Sequence, residues 1–282
     1  MKNESLIVMA GGASSRMKRS LASSNLDDKT LAIAKNLHKT LIPLGKAQKP
    51  LLFYLLRNAI ASNIKNVYVI TSPENDAFIE FATDFFKDVE HKSINLYFAI
   101  QYVPINREKP LGTADALQQC IDQYPKLLQE RFTVCNGDNL YSINALTDLK
   151  KDRKTPNALI SYSSMGLEFS EERIIKFALM DIDANGFLKG IVEKPRFEEI
   201  DKYRDASGVL RVSMNIFNFS GEIIYPYLQN CLLDPIRNEK ELPQAVRKMV
   251  SEVEDSVLCY PRSERIPDLT DANDIKRFID FE

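Results

Sequence analysis

Leu6-Ile7-Val8-Met9-Ala10-Gly11-Gly12-Ala13-Ser14-Ser15-Arg16-Met17 joins an apolar run to a small-residue turn that ends on a cation. Residues 6–9 are apolar without interruption and read as a strand buried on both faces, the kind found at the centre of a parallel sheet. The turn opens at the carboxyl end of that strand. Gly11 and Gly12 permit positive φ and close backbone approach, and the stretch from Ala10 through Ala13, Ser14 and Ser15 offers N–H groups and hydroxyls in a form that wraps an anion. Arg16 adds a planar fork of donors matched to phosphate oxygens. The turn lacks the Gly-Lys-Ser/Thr ending of a P-loop and the G-x-G-x-x-G of a dinucleotide fingerprint, so it is a phosphate loop of another kind.

Composition narrows the field. The chain has 282 residues, 44% apolar and 27% charged, which suits a globular protein with a sizeable core. Its 37 Lys and Arg nearly balance 39 Asp and Glu, for a net charge of −2, so no global basic field exists for nucleic acid or acidic membrane. Phosphate binding is therefore local. Cys120, Cys135, Cys231 and Cys259 are widely spaced with no C-x-x-C, against a zinc site or disulfide framework and in favour of a reducing cytoplasm. The only histidines are His38 and His91, too few for a Ser/His/Asp hydrolase or a His-rich metal site. No apolar run approaches a membrane span, and the first five residues are unlike a signal peptide.

Further strands are expected at 66–71, at 94–100 and within 131–139, the last with a carboxylate at its tip. Helices beginning at Pro50, at Pro73-Glu74 and at Thr113 alternate with them, the spacing of βαβ units and a parallel sheet. The first helix turns Leu51, Leu52, Leu55, Leu56, Ala59 and Ile60 inward, the second Phe78, Phe81 and Phe85, the third Leu117, Cys120, Ile121 and Tyr124. A further short helix is read over residues 30–37, within a polar insertion at 18–38 taken as a mobile lid over whatever the phosphate loop binds. Right-handed crossovers put the active site beyond the carboxyl ends of the strands. Gly112 and Thr113 leave helix N–H groups unpaired there, an anion or carbonyl site or a plain cap. Asn136-Gly137-Asp138-Asn139 is a turn, or, opposite a phosphate loop, a place for Mg²⁺, which takes one or two carboxylates and completes its shell with phosphate and water. From residue 157 the pattern changes to strands at 158–162, 176–182 and 187–192, the last two joined by Asp183-Ala184-Asn185-Gly186, a strong hairpin signal. A strand at 209–219, helices from Gly221 and over 242–250, a strand at 257–260 and a closing helix from Ala272 complete the chain.

The loop G-G-x-S-x-R-M resembles the signature G-G-x-G-x-R-[LM] of the nucleotidyltransferases that make NDP-sugars; its Ser14 is also similar to the molybdenum cofactor guanylyltransferases. Other pieces follow in that family's order: K-x-L-x-P-L and K-P-L-L at 39–44 and 49–52, G-T-A at 112–114, G-D-N at 137–139, V-E-K-P at 192–195, and residues 267–275, similar to D-x-G-T-x-E-D. Together they span residues 6–275 and resemble a sugar-1-phosphate nucleotidyltransferase of the glucose-1-phosphate uridylyl or thymidylyl type.

The resemblance implies an α/β fold: a Rossmann-like, mostly parallel twisted sheet with flanking helices, plus a β-hairpin sugar-binding subdomain. It implies a catalytic domain over 1–230, nucleotide half about 1–150 and sugar half about 151–230, with 231–282 packing on the same domain. Arg16 and the loop 10–16 would hold phosphates, Lys39 the α-phosphate side, Gln101, Arg107, Gly112 and Thr113 the base. Glu193, Lys194, Ser213 and Asn215 would meet the sugar phosphate, and Asp138 and Asp268 would hold Mg²⁺, with Arg16, Lys39 and Lys194 as the catalytic cations. The implied partners are an NTP and a sugar 1-phosphate, with no nucleic acid and no membrane; a homo-oligomer is allowed, and the compartment is the cytoplasm. Three positions depart from the pattern: Ser213 and Asn215 stand at usual Asn and Gly positions, and Thr270 at a usual Gly. A catalytically silent NDP-sugar-binding regulator, or a cofactor or alcohol-phosphate guanylyl- or cytidylyltransferase, stays open as the alternative.

Overall fold

Successive residues of a strand point to opposite faces, so an unbroken apolar run feeds two cores at once. In β1 (Ser5–Met9), Leu6 and Val8 join one core and Ile7 the other, all fully buried. The computed structural model describes residues 1–193 and 195–278. Its further strands are β2 (Pro43–Leu44) and β3 (Lys49–Pro50), a short antiparallel pair, then β4 (Asn66–Thr71), β5 (Asn95–Ile100), β6 (Arg131–Asn136), β7 (Asn157–Ser163), β8 (Ala178–Ile182), β9 (Leu188–Glu193), β10 (Arg211–Ser220) and β11 (Val257–Arg262). The main sheet runs β11-β7-β10-β6-β1-β4-β5. β1, β4, β5 and β6 are parallel, as are β7 and β11, while β10 lies antiparallel between β6 and β7. The hairpin β8–β9 hangs from β10 through β8. The result is a mixed α/β sheet, mostly parallel and Rossmann-like.

The helices are α1 (Ser15–Ser20), α2 (Asp28–Asn36), α3 (Leu51–Ala61), α4 (Asp76–Phe85), α5 (Thr113–Gln123), α6 (Ile143–Lys150), α7 (Glu171–Ile174), α8 (Gly221–Gln229) and α9 (Leu242–Glu252). One core gathers Leu51, Leu52, Leu55 and Leu56 of α3, Phe78 and Phe85 of α4 and Leu146 and Leu149 of α6. The other gathers Leu117, Cys120 and Ile121 of α5, Ile224 and Leu228 of α8 and Val246 and Met249 of α9. Burying each of these side chains contributes roughly 1.5–3 kcal/mol, which explains why both faces carry helices. The stretch 18–38 packs too, burying Leu21 and Ala34 and tying Ser20 Oγ to the Ala272 N–H at 2.9 Å.

Several boundaries differ from the sequence reading. α4 starts at Asp76 rather than at Pro73, because the Pro73 carbonyl closes a turn onto the Asn75 N–H, and Phe81 is left only partly buried. Pro50 caps α3 from outside, and Tyr124 ends α5, its hydroxyl reaching the Phe98 carbonyl at 2.8 Å. β8 begins at Ala178 because the Lys176 and Phe177 N–H groups cap α7 on the Arg173 and Ile174 carbonyls. The closing segment Ala272–Phe278 is a 3₁₀ helix, with the Asp274 side chain turned back onto the Thr270 and Asp271 N–H groups at 3.0 and 2.9 Å. All four cysteines are free and buried, and burial pushes the Cys120 thiol up to about 12. No described helix is long and apolar enough to cross a membrane.

Gly221 opens α8 where a Cβ would stand 2.0 Å from the Leu127 carbonyl oxygen. The obstacle is backbone, so it outweighs the roughly 1 kcal/mol that alanine gains in a helix. Gly221→Ala is expected to destabilise the fold by about 3 kcal/mol, read as a lower urea midpoint at unchanged slope.

Candidate active site

The phosphate loop is built where β1 ends between β4 and β6. The Ala10 N–H donates to the Ile70 carbonyl at 2.9 Å and the Gly137 N–H to the Met9 carbonyl at 3.0 Å, which fastens the loop to both neighbours. Ser14 adopts the left-handed conformation (φ 53°) at the start of α1, and its Oγ accepts the Lys39 N–H at 3.2 Å. Gly12 faces open space, and Ala13, Ser15 and Arg16 are exposed around it. At Gly11 a Cβ would stand 3.0 Å from Gln101 Oε1, so glycine lets that amide close on the loop. Gln101 in turn donates Nε2 to the Gly112 carbonyl and to Asp115 Oδ2, both at 3.0 Å.

Two acidic side chains converge beside this loop. β6 delivers Asn136-Gly137-Asp138 next to the end of β1, and at Gly137 a Cβ would fit only tightly, 3.0 Å from both the Met9 carbonyl oxygen and Thr40 Cγ2. The chain at 138–140 then crosses the chain at 267–269: the Leu269 N–H donates to the Asp138 carbonyl at 2.8 Å and the Leu140 N–H to the Pro267 carbonyl at 3.0 Å. Asp138 is ion-paired with Lys39. Asp268 is 7% exposed and accepts from Asn139 Nδ2 at 3.2 Å, Arg173 Nη2 at 2.8 Å and the Thr270 hydroxyl at 3.0 Å. Burial first, and the Asp138 charge second, push its carboxyl up to about 6 against the pull of Arg173 and Thr270. These two carboxylates are the pair available to a divalent cation. Among the described residues no group of three or more His, Cys, Asp or Glu gathers as a metal site, so an ion here would complete its shell elsewhere.

The remaining expected residues fall into two groups. At the start of α5, expected to present unpaired N–H groups, the Ala114 N–H is taken by another segment. Lys240 takes the Ala114 N–H on its carbonyl at 2.9 Å, and the Thr113 hydroxyl accepts from the Leu242 N–H at 2.8 Å while donating to Glu241 at 3.1 Å. Gly112 (φ +114°) fits because a Cβ would lie 2.5 Å from the Lys240 carbonyl oxygen. Arg107 donates to the Asn238 carbonyl at 2.6 Å on the same segment. Glu193, at the end of β9, is half-buried; burial, then the Glu241 charge, raise its carboxyl, while Arg237 and Arg247 oppose them. Lys194 lies outside the described residues. Ser213 is buried on β10, and Asn215 (φ 53°) sits in the irregularity where β10 loses register with β7, one step past the Ile216–Cys135 pairing with β6. Its Oδ1 is buried without a partner among the described residues. Met214, beside it, accepts the Tyr141 hydroxyl at 2.6 Å.

Asn139, inside the G-D-N motif, and Arg173 and His38, which had no signal in the sequence that set them apart, belong to this constellation. Arg173 arrives on the four-residue α7, stacked 4.4 Å from the Phe169 ring centre. His38 precedes Lys39, and its Nδ1 lies 2.8 Å from the Thr40 hydroxyl and accepts the Thr40 N–H at 3.3 Å. Burial, with the Lys39 charge beside it, lowers its pKa to about 4; the Gly12 backbone works the other way.

Residues 6–265 match the family described as nucleotidyl transferase. A glucose-1-phosphate adenylyltransferase of Koribacter versatilis (strain Ellin345) is 25% identical over 200 residues, which are 70% of this chain and 47% of that protein. The chain thus spans about half the length of that curated relative. The crystal structure of a UDP-glucose pyrophosphorylase complexed with UDP-glucose shares the fold, with a TM-score of 0.70 at 15% identity over 99% of this chain and 97% of the other.

A histidine held neutral in the fold and protonated when unfolded costs stability as pH falls from 6.5 towards 4. His38→Asn keeps an acceptor for the Thr40 N–H and removes the titration. In urea unfolding across that window the variant is expected to lose stability less steeply than the parent, by close to one proton, or about 1.4 kcal/mol per pH unit.

Proposed function

We propose a reaction for this chain, which belongs to the nucleotidyl transferase family: it joins a nucleoside triphosphate to a sugar 1-phosphate, giving an NDP-sugar and pyrophosphate. A phosphate oxygen of the sugar attacks the α-phosphorus in line, the bond from that phosphorus to the bridging oxygen breaks, and pyrophosphate leaves with the electron pair. No protein nucleophile is needed, and catalysis is positioning together with neutralisation of developing charge.

The observation that supports this reading most is the hydrogen-bonded crossing of 138–140 with 267–269, which sets two carboxylates against a loop of small residues through Lys39. A buried carboxyl raised by a second one is a pair that a hard divalent cation stabilises, so the residues fit Mg²⁺. Asp138 and Asp268 would hold it, and when bound it supplies positive charge to the phosphates. Arg16 and the loop N–H groups bind the β- and γ-phosphates. Lys39 shifts from Asp138 towards the α-phosphate, and Lys194 brings in the anionic sugar phosphate. Gln101 and Gly112 line the base side, and Glu193, Ser213 and Asn215 the sugar side.

Pyrophosphate release measured with four NTPs against several sugar 1-phosphates is expected to give turnover for at least one pair and none without sugar phosphate. Asp138→Ala is expected to lower the best rate on the order of 10³-fold with the far-UV spectrum unchanged. Near-parental turnover in that variant rejects the metal assignment, and silence across the panel favours a binding protein over an enzyme.

A further inference from the structure

A cavity of ≈410 Å³ opens beside Asp268, on the side where α7 meets the closing 3₁₀ segment. It is lined by Arg173, Arg265 and Arg277, with Ser170, Phe169 and one acidic residue, Glu168. These come from three separate places: the chain after β7, the chain after β11, and Ala272–Phe278. Three cations facing one space are held together against mutual repulsion, and their partners are unevenly shared. Arg173 is neutralised by Asp268 at 2.8 Å and Asp274 at 3.3 Å. Among the described residues Arg277 reaches only Asp274, at 3.3 Å, with half of its side chain exposed. The Arg265 side chain has no ion pair or hydrogen bond among the described residues. Ser170 makes no capping bond to α7, so its hydroxyl is left for another acceptor. Two guanidinium forks and a hydroxyl around a space of this size fit a phosphoryl group, which accepts bidentate bonds from arginine.

We propose that this cavity binds a phosphoryl dianion, as free phosphate or as the phosphate of a small ester, and that its occupancy raises the affinity of Asp138 and Asp268 for a divalent cation. The second half rests on the metal assignment of the proposed function, and the first half stands without it. The link is Arg173, which lines the cavity and also donates to Asp268 Oδ2. An anion in the cavity takes a share of that guanidinium and leaves Asp268 less compensated. Both that loss and the anion's own charge draw a cation towards Asp268. Coupling of this kind is reciprocal, so the cation strengthens the anion by the same factor.

Calorimetric titration of the metal-free protein with sodium phosphate tests the site. In the double variant Arg265→Gln, Arg277→Gln the dissociation constant is expected to rise by about tenfold or more, and in Arg16→Gln to stay within about twofold, since each removed charged donor weakens a phosphate contact. Binding lost only in Arg16→Gln assigns the anion to the phosphate loop and overturns the proposal, as does absence of binding. A hexose 6-phosphate titrated alongside separates the two sources: tighter binding than phosphate identifies an ester, equal binding free phosphate. Mn²⁺ binding followed by electron paramagnetic resonance, with and without sodium sulfate, reads the coupling. Affinity is expected to rise about threefold with sulfate in the parent and not in the double variant, a coupling near 0.7 kcal/mol. Anion binding without that rise overturns the coupling and leaves the site. Mn²⁺ binding that is equal in Asp138→Ala and parent overturns the metal assignment instead.

Discussion

Two like charges brought together from residues far apart in the chain need something to hold them there, and in this protein it is backbone. The Leu269 N–H on the Asp138 carbonyl and the Leu140 N–H on the Pro267 carbonyl make a short antiparallel crossing, so the positions of Asp138 and Asp268 are set by main-chain geometry and not by their side chains. The electrostatic cost is then met locally. Lys39 partners one carboxylate, Arg173 partners the other, and Asn139 and Thr270 add hydrogen bonds to Asp268. Paired burial of this type contributes little net stability, because desolvation offsets much of the attraction. It does fix where the charges lie, which is what a phosphoryl-transfer site requires.

The same logic explains why the start of α5 is covered. α5 opens on Gly112 and Thr113, a pattern that reads as available N–H groups, but the segment before α9 folds across it. Lys240 supplies a carbonyl to Ala114, and Thr113 holds the Leu242 N–H. Gly112 is a glycine for two reasons, its φ of +114° and the Lys240 backbone 2.5 Å from where a Cβ would be. Gln101 then carries the contact onward from this segment to Gly11. The loop, α5 and the chain around 240 therefore form one connected wall.

Much of this was legible in residue order alone. The apolar run at 6–9, the glycine pair after it and the Asp138 tip follow from strand burial and turn chemistry, which are local. The Asn185-Gly186 hairpin followed from the positive φ that glycine supplies there, +85° in the fold. What local chemistry does not contain is pairing across the fold. Nothing in Glu171-Glu172-Arg173 distinguishes Arg173 from other surface arginines until α7 docks it on Asp268. His38 becomes a partly enclosed ring with a lowered pKa only because Thr40 and the loop pack around it. Boundaries failed for a related reason: the Pro73 turn and the late start of β8 depend on which carbonyl a neighbouring N–H finds.

β10 is the one strand of the main path that runs against the others, and it lies between β6 and β7, both of which precede it in the chain. During synthesis on a ribosome, β6 therefore waits with an unpaired edge, rich in apolar residues, until the nascent chain has passed Ser220. An exposed edge of that kind is where chains cross-associate before they finish. The order of translation, more than the stability of the finished fold, thus sets when this polypeptide is vulnerable, and release of the stretch 211–220 ends that interval.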